Sequence, residues 1–323
     1  MVFQAPLVRN VMAAGHLRDG PLRPRHDSGC CRTMTELASL QRFAVPGSIT
    51  IDAGCGGLPR VSISTPLCRG EIYLHGAHVS AWQPAGQAPV IWMSSQGWFA
   101  ANKPMRGGIP LCWPWFGPGV ETGQPAHGLI RQADWTLTAV ATAADGTVTV
   151  VMRLVCAAPA ATLQLAACFG HSLQVELSAT NTGTSAFPVG ETLHTYLAVG
   201  DVRRVALRGL KGAAGQSRVA QPITLTGPEV LGIDAETDLV FNAHEGATVI
   251  DDPVLHRQLR VSKGGSRTTV VWNPWIAKAA RMSDFGDHEW PGMICVEAAN
   301  AQADAYQLAP GASHALSTVI EVL

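Results

Sequence analysis

The sequence has no excess of either charge. Among its 323 residues, 23 Lys and Arg face 24 Asp and Glu, and charged residues make up only 15%. A protein that neutralises nucleic-acid phosphates needs a basic surplus, so we expect no nucleic-acid partner. The hydrophobic fraction of 47% can bury a substantial core, which excludes wholesale disorder.

Long apolar runs and paired cysteines are also missing. No run reaches the roughly 18 residues that a membrane helix needs, so we expect no membrane partner. The eight cysteines include no Cys-x-x-Cys pair, and scattered thiols in a chain of this length are typical of a reduced, cytoplasmic protein. His75 and His78 have the spacing of two metal ligands, but no third ligand is evident, so we predict no metal site.

Residues 1–33 differ in composition from the rest of the chain. They contain five arginines and two acidic residues, and no apolar stretch follows the charges as it would in a secretory signal. We predict a non-structural leader, or a start assigned too early with Met34 as the true one; a transit peptide is the alternative. No linker or internal repeat interrupts residues 34–323, which we interpret as one domain.

From residue 49 onward the pattern is that of strands. Alternating runs recur about every ten residues, separated by turn residues. Two hairpins are predicted, one pairing residues 134–142 with 147–156 and the other pairing residues 162–169 with 172–180. Residues 189–199 predict a further strand, whereas only residues 35–43 have a helical pattern, with Thr35 as its N-cap. We predict an all-β fold, a sandwich or a barrel.

Residues 84–131 break this rhythm. The stretch is dense in Pro, Gly, Trp and Phe, and so long a loop within a compact domain is usually functional. Its centre, residues 106–118, combines Arg106 with paired glycines, stiffening prolines and aromatic rings on which a sugar can stack. His127 and Arg131 follow. The two arginines can converge on one anion; the alternative is a rigid surface loop with unrelated, solvated arginines.

Two further residues are candidates for acid–base chemistry. Alternation along residues 189–199 places Thr192, His194 and Tyr196 on one face. A histidine there can serve as a general acid, since its reference pKa is near 6.5, or it can be a structural residue. Glu297 ends an apolar strand, where a carboxylate is costly unless it is paired or used.

Six segments in this order resemble the hexose-6-phosphate mutarotases, also called glucose-6-phosphate 1-epimerases, of the aldose 1-epimerase or galactose mutarotase-like superfamily. The resemblance covers residues 45–323. The segments are RGGIPLCWPWFGP (106–118), HGLIR (127–131), ETLHTYLAVGD (191–201), TDLVF (237–241), VVWNPW (270–275) and CVEAANA (295–301).

The resemblance implies a fold and a set of site residues. The family fold is a large antiparallel β-sandwich. His194 matches the catalytic histidine and Glu297 the catalytic glutamate. The residues that match the family's substrate contacts are Arg106 and Arg131 for the phosphate, with His127 and Asp238 for the sugar. Trp113 and Trp115 are candidate pocket walls, and Trp115 is our choice for the ring that faces the sugar.

The implied reaction is interconversion of the α and β anomers of a hexose 6-phosphate, with glucose 6-phosphate as the expected substrate. Glu297 would act as the base and protonated His194 as the acid, with no metal or cofactor. The alternatives are an aldose 1-epimerase for free hexoses and a non-catalytic module that binds sugar phosphates. A monomer is the default expectation, with a small-molecule hexose phosphate as the partner.

Overall fold

The computed structural model describes residues 37–119 and 121–323. The predicted leader and Thr35 lie outside the described residues. Residues 37–40 are helical and continue into the 3₁₀ turn Gln41–Phe43, in agreement with the helix predicted there. The only other α-helix within the described residues is Trp275–Ala279.

The remaining regular structure of residues 37–119 and 121–323 consists of 22 strands and five further 3₁₀ turns. In chain order the strands are β1 (Ile49–Ala53), β2 (Pro59–Ser64), β3 (Cys68–Tyr73), β4 (His78–Pro84), β5 (Leu111–Cys112), β6 (Thr136–Thr142), β7 (Val148–Ala157), β8 (Ala160–Phe169), β9 (Ser172–Asn181), β10 (Phe187–Val189), β11 (Glu191–Leu193), β12 (Tyr196–Ala198), β13 (Ala206–Arg208), β14 (Ala214–Ser217), β15 (Ile223–Thr226), β16 (Thr237–Phe241), β17 (Thr248–Asp252), β18 (Arg257–Gly264), β19 (Thr268–Asn273), β20 (Met293–Asn300), β21 (Tyr306–Leu308) and β22 (Ser313–Val322). The 3₁₀ turns are Cys55–Gly57, Ile130–Gln132, Val202–Arg204, Trp290–Gly292 and Gln302–Asp304.

These strands form three larger antiparallel sheets and one pair. Sheet I has the order β1-β2-β3-β4. Sheet II has the order β13-β17-β18-β22-β9-β8-β7-β6. Sheet III has the order β15-β14-β16-β19-β20-β11-β5, and β12 also pairs with β20. Strands β10 and β21 pair separately.

Burial shows how sheets II and III pack. Strand β9 alternates between buried and half-buried residues, which is typical of a sheet with one covered face. Strands β19 and β20 are buried along their whole length, so both faces of sheet III are covered there. One face shares a core with sheet II, where Ile294 and Val296 cluster with Leu316 and Ile320. This arrangement confirms the antiparallel β-sandwich.

Both predicted hairpins are present, as β6–β7 and β8–β9. The structure departs from the predicted strands at several places, two of which concern the site. Residues 214–226 form the hairpin β14–β15, which we did not predict. Residues 189–199 do not form one strand but three, since β10, β11 and β12 are separated by breaks.

The break between β11 and β12 falls at His194 and Thr195. The Thr195 N–H donates to the carbonyl of Leu193, 2.8 Å away, and its hydroxyl donates to the same oxygen. The His194 N–H donates instead to the carbonyl of Pro110, in the long loop. The single continuous strand predicted here is therefore wrong. The predicted alternation is kept, since the register to β20 is the same on both sides of the break and the rings of His194 and Tyr196 stack on one face.

A parallel bridge between Trp113 and Gly128 holds two parts of the long loop together. Gly128 has a φ of +79°, and a Cβ added there would lie 2.1 Å from the carbonyl oxygen of Trp113. Only glycine fits this close approach without strain.

Gly128→Ala is expected to destabilise the fold by about 3 kcal/mol, since left-handed strain and a backbone clash add. Gly123→Ala is the matched control, because Gly123 has a φ of +89° in the same loop and nothing lies within 4 Å of an added Cβ. The control is expected to lose only about 1 kcal/mol. Urea unfolding of both variants checks this, and equal losses would show that the bridge does not constrain the loop.

Candidate functional site

The site is built where sheet III is interrupted. Strand β11 pairs with β20 up to Leu193, opposite Ala298, and β12 resumes at Tyr196, opposite Cys295. The unpaired residues His194 and Thr195 therefore lie beside the part of β20 that contains Glu297. The register is unchanged across the break, so His194 lies opposite Glu297 and the two candidate acid–base side chains come together.

His194 Nδ1 lies 3.3 Å from Glu297 Oε1. The Glu297 side chain is 1% exposed and that of His194 is 11% exposed. Neither His194 Nδ1 nor Glu297 Oε2 has a hydrogen-bond partner within the described residues. Buried polar atoms are usually satisfied, so two unsatisfied atoms side by side indicate a site that binds a polar ligand.

Burial shifts both pKa values away from the charged forms. Desolvation raises the pKa of Glu297 well above its usual value, an effect that the nearby Asp238 carboxylate reinforces and Arg218 opposes. Desolvation lowers the pKa of His194 well below its usual value, with further lowering by His127, Arg106 and Arg131. Burial thus favours a protonated Glu297 and a neutral His194, whereas the reference pKa values had predicted the opposite charges.

Aromatic rings surround the His194 imidazole. Tyr196 stacks on it with centroids 4.8 Å apart and an angle of 10°. Trp272, Phe116 and His127 approach it edge-on, with centroids 6.1, 6.3 and 5.8 Å away. These rings fix the orientation of His194 and offer the flat apolar faces that a sugar ring contacts.

Arg106 reaches the site from the long loop and is held on two sides. Its Nε and Nη2 atoms lie 3.2 and 3.1 Å from Asp284 Oδ2, and its Nη1 donates to the Tyr196 hydroxyl at 3.0 Å. Asp284 and Tyr196 are almost fully buried. The charge of Arg106 is therefore countered by a neighbouring carboxylate.

Arg131 is different. Its Nη2 donates to the carbonyl of Ala126 at 2.8 Å, its Nε is buried without a partner, and within the described residues no carboxylate lies at ion-pair distance. Burial and Arg106 lower its pKa, although the guanidinium stays charged. The groups that oppose this pKa shift are Cys112, Tyr196 and Asp284. A partly buried cation with no carboxylate at ion-pair distance favours an anionic ligand.

His127 and Asp238 also line the region. His127 has a φ of +62°, its N–H donates to the carbonyl of Gly117, and burial together with Arg131 lowers its pKa to about 3. Asp238 is half-buried and lies 3.8 Å from Arg218 Nε. Burial raises the pKa of Asp238, and Arg218 and Lys278 oppose that shift.

Trp115 points elsewhere in the loop, where its indole N–H donates to the carbonyl of Pro125 at 3.0 Å. Trp113 is fully buried and packs edge-on against Phe187. The tryptophan ring that approaches His194 is that of Trp272, and from the long loop the ring of Phe116 does so.

Our sequence analysis placed Tyr196 on the face of His194 without giving it a role, and it missed the partners Asp284 and Arg218. Tyr196 follows His194 by two residues, a spacing that hinted at a shared surface. Asp284 and Arg218 carried no signal, because their contacts join residues far apart in the chain. Arg218 follows β14, and its guanidinium carbon lies 5.5 Å from the centre of the Phe116 ring.

In the part of the chain that the structure describes, one group of side chains has the donor atoms for a metal ion. Ligand atoms of His194, Cys295 and Glu297 all lie within 4.8 Å of one another. The same atoms belong to the candidate acid–base pair, and Arg106 and Arg131 place positive charge beside them. This charge disfavours a cation, so the expectation of no metal site stays our prediction.

Glu297→Gln is expected to stabilise the protein at pH 8. A carboxyl group whose folded pKa is raised contributes stability below its unfolded pKa, near 4.5, and loses it as the pH rises through the folded pKa. Glutamine cannot ionise, so we expect a Tm about 1–3 °C above that of the wild type at pH 8, with the difference shrinking toward pH 4.5. Thermal unfolding at both pH values measures it, and exposed Glu229→Gln serves as the control. A lower Tm for Glu297→Gln at pH 8 would contradict the shift.

Comparison with known proteins shows the family to which the chain belongs. The aldose 1-epimerase family matches residues 59–321. The "putative glucose-6-phosphate 1-epimerase" of Escherichia coli strain K12 is 32% identical over 256 residues, which cover 76% of this chain and 84% of that protein. The chain belongs to the aldose 1-epimerase family.

Other relatives agree with this membership. A protein of Cenchrus ciliaris with the same name as the E. coli relative is 31% identical over 249 residues, covering 72% of this chain and 75% of its own. A crystal structure of a "putative mutarotase" from Salmonella typhimurium superimposes with a TM-score of 0.79 at 28% identity, covering 89% of this chain and 99% of that one. This member of the aldose 1-epimerase family is thus an isomerase of the epimerase class. Within the described residues no helix is long and apolar enough to span a membrane.

Proposed function

We propose that this epimerase interconverts the α and β anomers of hexose 6-phosphates, with glucose 6-phosphate as its substrate. The observation that carries the proposal is the placement of two arginines beside the buried His194–Glu297 pair, since both Arg106 and Arg131 act electrostatically on His194. A neutral sugar needs no such cations. The names of the E. coli and C. ciliaris relatives point to the same substrate.

The reaction requires two proton transfers. Glu297 accepts the proton of the C1 hydroxyl while His194 donates one to the ring oxygen, and the bond between C1 and the ring oxygen breaks. The resulting aldehyde rotates about C1–C2. On closure His194 takes the proton back from the C5 hydroxyl, and Glu297 returns its proton to the C1 oxygen, now on the other face.

The pair shares one proton throughout this cycle. In the open-chain state Glu297 is protonated and His194 is neutral, which is the form that burial favours for both groups. Ring opening starts from the other form of the pair, with Glu297 ionised and His194 protonated, so the shared proton must lie on His194 when the ring opens. The two groups titrate as a coupled pair rather than as separate residues.

Magnetisation-exchange NMR on the anomeric protons tests the proposal, with glucose 6-phosphate and glucose compared against buffer. Faster exchange for the phosphosugar is expected. Acceleration of both sugars to the same extent would instead favour an aldose 1-epimerase for free hexoses. Binding of glucose 6-phosphate without any acceleration would favour the non-catalytic binding module.

A further inference from the structure

Arg106 is anchored so that part of its guanidinium remains available. Its contacts to Asp284 and to the Tyr196 hydroxyl use three of its five N–H donors. The side chain is only 22% exposed. The remaining donors can bind a phosphate, but the group cannot shift toward a ligand without pulling on the two residues that hold it.

Tyr196 connects that arginine to the imidazole. Its hydroxyl accepts from Arg106 at 3.0 Å, and its ring stacks on His194 at 4.8 Å. Trp92 lies nearly parallel to the same ring at 5.8 Å, and Trp272 packs edge-on at 5.9 Å. A ring that is 1% exposed and enclosed in this way cannot move without displacing the imidazole.

The Tyr196 hydroxyl keeps its proton. Burial raises the pKa of this phenol, so it is neutral at physiological pH. Since Arg106 donates to the phenol oxygen, the hydroxyl hydrogen itself remains free to donate. The phosphate side and the imidazole side of the site therefore meet at one side chain.

We propose that Tyr196 is a positioning residue through which Arg106 acts on His194, so that the phosphate of the substrate speeds proton transfer as well as binding. This inference rests on the proposed function. Contacts to a remote part of a substrate can lower the barrier at the reacting atoms when they orient the acid–base groups. The phosphate would then raise kcat in addition to lowering KM.

Tyr196→Phe tests the role of the hydroxyl, because it keeps the stacked ring and removes the contact to Arg106 together with the free hydroxyl hydrogen. We expect kcat for glucose 6-phosphate to fall about tenfold, the size of one charged hydrogen bond, and kcat for glucose to fall far less. Tyr73→Phe is the matched control, since Tyr73 is equally buried and its hydroxyl accepts from the Cys55 N–H. Equal losses for the two sugars would overturn the inference.

A double-variant cycle separates this role from a structural one. If Tyr196 acts through Arg106, adding Tyr196→Phe to Arg106→Ala should change the rate for glucose 6-phosphate less than twofold, against about tenfold in the wild-type background. If Tyr196 merely supported the fold, Tyr196→Phe would lower the rate by the same factor in both backgrounds. That result would overturn the inference.

A substrate in two pieces tests the coupling directly. D-Xylose has the glucose ring without C6, and phosphite dianion supplies the missing anion. We expect phosphite to accelerate anomer exchange of xylose by the wild type about tenfold or more, and by Tyr196→Phe less than threefold. Matched samples without enzyme correct for catalysis by the buffer anion. Phosphite that binds without accelerating the wild type would overturn the inference.

The wild-type rate with glucose 6-phosphate separates this inference from the proposed function. No acceleration there would overturn the proposed function and this inference with it. If the wild type accelerates exchange of glucose 6-phosphate but Tyr196→Phe loses the same factor in kcat for both sugars, only the inference is overturned. As a readout independent of turnover, phosphite should shift the His194 imidazole proton resonances in the wild type and not in Tyr196→Phe.

Discussion

Glu297→Gln is expected to lower kcat for anomer exchange by about 10²–10⁴-fold, the usual contribution of a positioned general acid or base. Glutamine has nearly the same shape as glutamate but cannot accept the C1 proton. Glu297 is 1% exposed and lies 3.3 Å from His194, so no water can replace it without rearrangement of the site. The effect should appear in kcat, with a smaller change in KM.

His194→Ala should cost about as much, and the double variant should lose little more than either single one. The two groups pass protons in one reaction, and residues that act as a unit are strongly non-additive. Magnetisation-exchange NMR measures all three rates. Residual exchange must be compared with buffer, because the sugar mutarotates without an enzyme.

The controls separate chemistry from folding. Glu297→Gln is expected to be at least as stable as the wild type at pH 8, so a loss of rate cannot reflect unfolding. Glu176→Gln, on β9 of sheet II, should keep the wild-type rate. If Glu297→Gln and His194→Ala were both folded and fully active, the acid–base assignment would be refuted.

Local patterns in the sequence were sufficient to predict most strands. The alternation in residues 147–180 predicts β7, β8 and β9 within about two residues, because side chains in a one-sided sheet follow period 2. At residues 189–199 the alternation also held, since His194 and Tyr196 share a face, but the single strand predicted there is divided. The Thr195 N–H turns back to the carbonyl of Leu193, and such a local break leaves no trace in the alternation.

The candidate site, like the strands, could be predicted only in part. The motif residues His194, Glu297, Arg106 and Arg131 were identified by type and order, and the structure brings all four into one region. The difference between the two arginines was not predictable, since it depends on Asp284, which lies 178 residues from Arg106 in the chain.

The difference in pairing between Arg106 and Arg131 leads to the second large expected effect. Arg131→Ala is expected to raise KM for glucose 6-phosphate about 100-fold and KM for glucose less than threefold. Two charge-assisted hydrogen bonds to a phosphate account for about 3 kcal/mol or more, and a 1.4 kcal/mol loss is tenfold in affinity. Within the described residues Arg131 has no carboxylate at ion-pair distance, and Asp284 acts on it only from further away, so most of its charge is available to the dianion.

Arg106→Ala should raise KM for glucose 6-phosphate less than Arg131→Ala does. The net charge of the Arg106–Asp284 pair is already close to zero, and removing the cation leaves Asp284 without its partner. It should instead lower kcat through the lost contact to Tyr196. Steady-state exchange rates over a range of concentrations of both sugars give kcat and KM for glucose 6-phosphate and for glucose. Arg131→Lys keeps the positive charge but loses the planar guanidinium. Its KM for glucose 6-phosphate should therefore lie between those of the wild type and Arg131→Ala.

Ionic strength gives an independent check on which arginine supplies the charge. The affinity of the wild type for glucose 6-phosphate should fall as salt rises, and Arg131→Ala should lose most of that dependence whereas Arg106→Ala should keep it. Exposed Arg203→Ala is the control for a general change in charge. If both sugars lost affinity equally in Arg131→Ala, the phosphate would not be bound by this residue, and selection of a phosphosugar would have to depend on Arg106 or Arg218 instead.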